Sequence, residues 1–285
     1  MDWQLNTVSI YLLFLAQTLF AVSTLIVEYP ARVKAYSKHL WLYLLFFTIG
    51  ELFSFRWASV VLSLICFIAL REYFSLIAIR TGDRLAILGG FLSIPLMMAT
   101  LLMHNHHIFI AAIPLYVFFF IPFLVAIGGD ESVGTVFSIG VIGVGIFLFV
   151  FGNGLLGFLT LCTPWLGIIV VINVSLSDAI AFCLYSTRKP LFQGNLLQYL
   201  AAIPVTVASS ILVSEWTFLA LHVSIIIGTI IPLLVAASRL IMFHIESDLG
   251  IAQNYNSLRR GRLINSSSSL VLVTPIVFFA LNYLT

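Results

Sequence analysis

Charge is what this sequence lacks most. Only 8% of its 285 residues are Asp, Glu, Lys or Arg, where a soluble domain has about a quarter, and 61% are hydrophobic. A water-soluble fold of this length cannot hide so much apolar surface, so lipid must be the solvent for most of the chain. The net charge of +2 is too small to attract nucleic acid, and the few basic residues are spread along the chain. Cysteine is scarce too: Cys66, Cys162 and Cys183 sit in or beside apolar runs, without CxxC spacing or the even number of a disulfide framework. They read as small hydrophobes. The amino terminus, Met1-Asp2-Trp3-Gln4, has no basic n-region, and no small-residue cleavage site follows the first apolar run. That run is expected to remain a membrane helix. Apart from Ser266 to Ser269 there is no low-complexity run, and nothing marks a soluble domain, a linker or a repeat.

What is present is a succession of apolar runs long enough, at some 20 residues, to cross about 30 Å of hydrocarbon. The expectation is an all-α polytopic membrane protein forming one transmembrane domain over 1–285. About ten spans fall near 8–27, 40–54, 57–77, 84–103, 107–128, 135–152, 155–175, 195–214, 216–237 and 268–284. The second and third are short enough to form one hairpin. Turn signals separate the runs at Glu28-Tyr29-Pro30, Thr81-Gly82-Asp83, His104-Asn105-His106-His107, Gly128-Gly129-Asp130-Glu131 and Gly152-Asn153-Gly154. Of the 13 Lys and Arg residues all but Arg56 fall on alternate connections, which places those connections in the cytoplasm and both termini outside. Arg56 has Glu51 nearby as a partner. The compact form points to a bacterial inner (cytoplasmic) membrane.

Two cytoplasmic connections, 176–194 and 238–267, are longer than a turn, and chemistry or binding is expected there. Asp178 stands where an apolar span meets a basic loop. An ionised carboxylate at membrane depth costs roughly 2.5–3.5 kcal/mol, so it needs a polar cavity or a partner. One reading pairs it with Arg188 or Lys189; the other makes it a metal-site or phosphate-site carboxylate. Arg71-Glu72-Tyr73 reads as an interfacial charge pair with an aromatic anchor. His104, His106 and His107 have a His-x-His spacing, but no carboxylate or cysteine is near them in sequence, and they read as a solvated outer loop. Arg259, Arg260 and Arg262 are positive-inside anchors or receivers of an anionic headgroup.

The carboxyl-terminal third resembles the phosphatidate cytidylyltransferase (CDP-diacylglycerol synthase) family. The likeness lies in Asp248-Leu249-Gly250-Ile251, in Ser257 to Leu270, and in the final span opening at Thr274-Pro275-Ile276-Val277-Phe278. Upstream, Arg71-Glu72-Tyr73-Phe74 is similar to the family's Arg-Glu-aromatic-Phe element, and Ser177-Asp178-Ala179-Ile180-Ala181 to its first aspartate element. Order, spacing and hydropathy agree over essentially the whole chain. The resemblance implies a cytidylyl transfer from CTP to phosphatidate, with carboxylates holding Mg²⁺ and basic residues holding phosphates.

The departures fall on the same groups. Asn265 and Ser268 stand where the family has aspartates, Ser266 where it has arginine, and Arg259-Arg260-Gly261-Arg262 where it has a Gly-His-Gly-Gly turn. Ala252-Gln253 replaces Lys-Asp, Glu246-Ser247 replaces Lys-Arg, and Ser238-Arg239 replaces Gly-Asp. Asp178 is what remains of the metal set. Amides and hydroxyls are poor sole ligands for a hard cation, so the expectation is a catalytically inactive relative with a degenerate site at Asp178, Asn265 and Ser268. Arg188, Lys189, Arg259, Arg260 and Arg262 are its candidate lipid or phosphate contacts. Its partners are then an anionic phospholipid or phosphatidate, and another membrane protein in a homo- or hetero-oligomer. The alternative is an active cytidylyltransferase or related headgroup transferase that uses Mg²⁺ in an altered site. A transporter finds little support, because no charge relay and no paired broken helices are evident.

Overall fold

The computed structural model describes residues 31–77, 80–128, 134–184, 196–217, 219–249 and 262–284, and among them it is helical, with no strand. Helix α1 (Ala31–Leu52) turns at Phe53 and Ser54 into α2 (Phe55–Leu76), which it packs against. Then come α3 (Arg84–Leu102), α4 (His106–Gly128), α5 (Thr135–Cys162) and α6 (Pro164–Cys183). Three short helices follow, α7 (Leu196–Leu200), α8 (Ile203–Leu212) and α9 (Ser214–Thr217), before the long α10 (Leu221–Asp248) and α11 (Arg262–Leu284). Among the described residues six helices, α2 to α6 and α10, are long and apolar enough to cross a membrane. Shorter apolar stretches lie at Leu42–Leu52, Gln198–Leu212 and Ser267–Tyr283. The expected first span, 8–27, falls outside the described residues.

The aromatic core holds Phe46, Phe47, Tyr73, Phe109 and Phe149, all fully buried, while Phe118, Phe119, Phe123 and Val136 point outward as lipid-facing side chains do. Tyr73 differs from its expected place as an interfacial anchor. Its ring lies against Gly145 and its hydroxyl donates to the Val141 carbonyl at 3.0 Å, so it is a core residue tying α2 to α5. Arg71 beside it is exposed, as expected.

The turn expected at Gly152-Asn153-Gly154 is not there: α5 runs through it as one helix of 28 residues. Bilayer hydrocarbon offers no water to an open backbone, so low helix propensity cannot break a helix as it does in solution. The glycines instead let helices approach closely. A Cβ at Gly152 would collide with the Val271 carbonyl of α11, one at Gly154 with the Phe109 ring, and one at Gly157 with Leu101 at 2.8 Å. Asn153 is also satisfied inside the bundle, its Nδ2 donating to the Phe149 carbonyl at 2.7 Å and its Oδ1 accepting from Tyr43 Oη at 2.9 Å. The break comes instead at Thr163, extended at φ −148° and ψ 136°. Proline excludes the helical conformation from the residue before it, and Pro164 then opens α6 at the first helical position.

The two long connections expected at 176–194 and 238–267 are also shorter than expected. Helix α6 continues to Cys183 and α10 to Asp248, and α11 begins at Arg262, so much of 176–194 and 238–267 is helix. At about 1.5 Å per residue the 28 residues of α10 span about 42 Å, longer than the hydrocarbon core.

The contact between α5 and α11 is testable. Gly152→Ala is expected to cost about 1–3 kcal/mol in a denaturant titration of detergent-solubilised protein, because a backbone carbonyl must move. Gly140→Ala, where a Cβ meets nothing within 4 Å, is expected to stay within about 0.5 kcal/mol of the parent.

Candidate functional site

Helices α6, α10 and α11 bring together a group of buried polar side chains that includes two carboxylates. Helix α6 buries Asn173, Ser177 and Asp178; α10 buries Ser238 and Glu246; α11 buries Ser267, Ser268 and Ser269. The three helices pack on one another, and α7 adds Tyr199. Ser177 and Ser238 turn their hydroxyls back onto their own helices, to the Asn173 carbonyl at 2.7 Å and the Val235 carbonyl at 2.8 Å. That leaves the charged groups to face one another.

Asp178 is met by Arg239 of α10. Nε donates to Oδ1 at 3.0 Å and Nη2 to Oδ2 at 2.9 Å, the side-on fork that matches guanidinium to carboxylate. The Asp178 side chain is 5% exposed and that of Arg239 19%, so the pair is screened little by water. Arg188 and Lys189, the partners expected from the sequence, lie outside the described residues. Arg239 is no loop anchor: it sits inside an apolar helix, where a guanidinium without a carboxylate would be costly. Tyr199 lies within electrostatic reach of both members of the pair, and Glu246 within reach of Arg239.

Above this group a second polar node joins α6 to α8 and α10. Asn173 donates from Nδ2 to Ser210 Oγ at 2.8 Å and accepts at Oδ1 from Ser209 Oγ. Thr206 Oγ1 donates to the Gly228 carbonyl at 2.7 Å, where a Cβ on Gly228 would press 2.7 Å from Val207 Cα. These bonds fix the angle between the helices that carry Asp178 and Arg239.

Of the residues expected to form the site, Ser268 lies buried on α11, next to the helices of the pair. Asn265 lies in the first turns of α11, as does Arg262. Arg259 and Arg260 fall outside the described residues. At the other end of the bundle Asn105 caps α4 by accepting from the Ile108 amide at 3.1 Å. His106 and His107 therefore begin a helix rather than a loop, with rings 3.9 Å apart. His104 takes a left-handed φ of 54° in the turn before them, its ring edge-on to Phe55.

Arg239 and Glu246 entered the sequence reading only as replacements in the family pattern, because their span was expected to end at 237, and Tyr199, on α7, carried no signal. Carrying the helical period of α10 past 237 reveals the first two. Val235, Ser238, Met242 and Glu246 recur at the three- and four-residue steps of one buried face, with Arg239 beside it.

Chemically, both oxygens of Asp178 are engaged by a fixed positive charge. At an effective dielectric of about 20, a divalent cation about 4 Å from that guanidinium is repelled by about 8 kcal/mol. Arg239→Met should therefore be strongly destabilising, by about 3–5 kcal/mol, because it strands a buried carboxylate. Asp178→Asn with Arg239→Met should recover much of the loss, and a double-mutant cycle in detergent measures the coupling.

Compared with protein-family models, with curated proteins and with solved structures, the chain matches none of them.

Proposed function

We propose that this chain is a membrane-embedded relative of the CDP-diacylglycerol synthases that keeps their scaffold and a headgroup-binding surface without their metal centre. It acts in phospholipid metabolism as a lipid-binding or regulatory partner of another membrane protein, in a homo- or hetero-oligomer. The observation that supports this reading is the ion pair between Asp178 and Arg239. Where phosphoryl transfer from a nucleotide needs a carboxylate free to hold Mg²⁺, this carboxylate holds a guanidinium instead.

Ten spans with both termini outside set the paired ends of α6 and α10 on the cytoplasmic side of a bacterial inner membrane. The surrounding sequence is basic there, at Arg188, Lys189, Arg259, Arg260 and Arg262. Each such residue near an anionic surface contributes about 1 kcal/mol of attraction, enough together to favour a phosphate-bearing headgroup such as phosphatidate. The buried serines of α11 stand where a transferase would place ligand carboxylates, and they offer hydroxyls to a headgroup rather than charge to a metal.

Purified protein given CTP, phosphatidate and Mg²⁺ is expected to form no more CDP-diacylglycerol than its Asp178→Asn variant, and to bind no stoichiometric Mn²⁺ in a spin-probe titration. Robust product formation that Asp178→Asn abolishes would sink this reading in favour of an active headgroup transferase.

A further inference from the structure

The two members of the ion pair between α6 and α10 are not equally hidden. The Asp178 side chain is 5% exposed and the Arg239 side chain 19%, so the accessible edge of the pair is its cation. Helix α10 explains the difference. Val235, Ser238 and Met242 line its buried face, Leu240 and Ile241 are exposed, and Arg239 stands at the seam between them. On a helix long and apolar enough to cross the bilayer, such an exposed apolar face borders lipid. A group approaching from the lipid therefore meets positive charge first, with the carboxylate behind it. Tyr199 of α7 comes within electrostatic reach of both charges and brings a second donor near the guanidinium.

The depth suits a phospholipid phosphate. Arg239 lies about 14 Å before the end of α10 at Asp248. At about 42 Å the helix outreaches the hydrocarbon by about 12 Å. With that excess shared between the two ends, or lying at this one, Arg239 is within about 2–8 Å of the hydrocarbon edge, a distance an arginine side chain spans. Phosphate oxygens match the same planar fork that a carboxylate does, and a phosphomonoester carries more negative charge, so it can share the guanidinium with Asp178 or take it over. The phosphate of a choline lipid is balanced by its own trimethylammonium and competes less well.

We propose that Arg239 is the phosphate subsite for an anionic phospholipid of the phosphatidate class, and that Asp178 is its positioning residue, holding the guanidinium at the seam of α10 until a lipid phosphate shares it. This rests on the headgroup-binding reading above and adds to it the residue that takes the charge.

The experiment reconstitutes the full chain in nanodiscs of phosphatidylcholine alone or with phosphatidate. Thermal unfolding is followed alongside lipid retention by native mass spectrometry. The parent is compared with Asp178→Asn, which leaves Arg239 without its carboxylate, and with Asp178→Asn combined with Arg239→Met, which removes both charges and strands neither. In phosphatidylcholine alone Asp178→Asn is expected to unfold below the parent, and phosphatidate is expected to restore most of that loss. Its preference for phosphatidate over phosphatidylcholine is expected to exceed that of the double variant by about tenfold, the size of one charge-assisted hydrogen bond. The parent is expected to exceed the double variant by about fivefold, the worth of one basic residue near an anionic surface. Attraction by the basic loops is common to all three proteins and cancels. A pair that serves packing alone predicts the same response to phosphatidate in each, and that result overturns the proposal. So does equal recovery of Asp178→Asn by inorganic phosphate in phosphatidylcholine nanodiscs, which would assign Arg239 to a soluble anion. Should Asp178→Asn not fold, the parent and the double variant decide, and equal retention by those two is fatal to the idea. No CTP enters the experiment, so product in the cytidylyl assay would end the non-catalytic reading and leave this result standing, whereas equal lipid responses would end this proposal alone.

Discussion

A hydrocarbon solvent solvates neither a charge nor an open peptide group, and most of this chain's architecture follows from that constraint. In water an unpaired Asp178 would be hydrated at little cost. Held at the end of an apolar helix it must meet a cation from its own chain, and the fork to Arg239 is how α6 and α10 provide one. The same logic acts at Arg80, whose guanidinium grips the fully buried Asp83 at 2.9 and 3.0 Å while Ser138 donates to that carboxylate from α5. The Asp178–Arg239 pair joins helices 61 residues apart, whereas Arg80 and Asp83 are close in sequence and it is the Ser138 hydroxyl that ties their carboxylate to α5.

The constraint also inverts the meaning of small and polar residues. In a soluble chain Gly152-Asn153-Gly154 signals a turn; here the glycines are contact points and the asparagine is a clamp to Tyr43. Because apolar surface gains little by leaving lipid for protein, helices associate through close packing and polar bonds. The Asn173 node and the approach of α8 to α10 at Gly228 are of this kind. They hold the geometry of the charged group a few turns away.

Membrane character and most helix positions were legible in the sequence, because runs of some 20 apolar residues admit few other interpretations. Boundaries were less so. Turn residues at Thr81-Gly82-Asp83, at His104-Asn105 and at Gly128 mark helix ends as expected, whereas Gly152-Asn153-Gly154 does not, and the break after it falls at Thr163-Pro164, where proline acts sterically. Tyr73 was misplaced because an aromatic beside charges resembles an interfacial anchor, whereas its hydroxyl had a carbonyl to find in the core. The site was half legible. Asp178 stood out as a carboxylate at a span end, but its partner lies 61 residues later and had been counted among the loop charges. Charge in a membrane chain is therefore better paired before it is counted.

A buried ion pair is a weak source of stability, since well-packed apolar side chains of similar volume often serve a scaffold as well or better. Were the meeting of α6, α10 and α11 only structural, the bilayer would favour leucines where Asp178, Arg239, Glu246 and the serines of α11 now stand. Arg239 instead holds Asp178 through both carboxylate oxygens and reaches Glu246 electrostatically, so the charges of α6 and α10 form one cluster. On the reading proposed above, what reaches this end of the bundle from the membrane meets a guanidinium already held by Asp178 and the buried hydroxyls of α11, so recognition rests on fixed dipoles and shared charge.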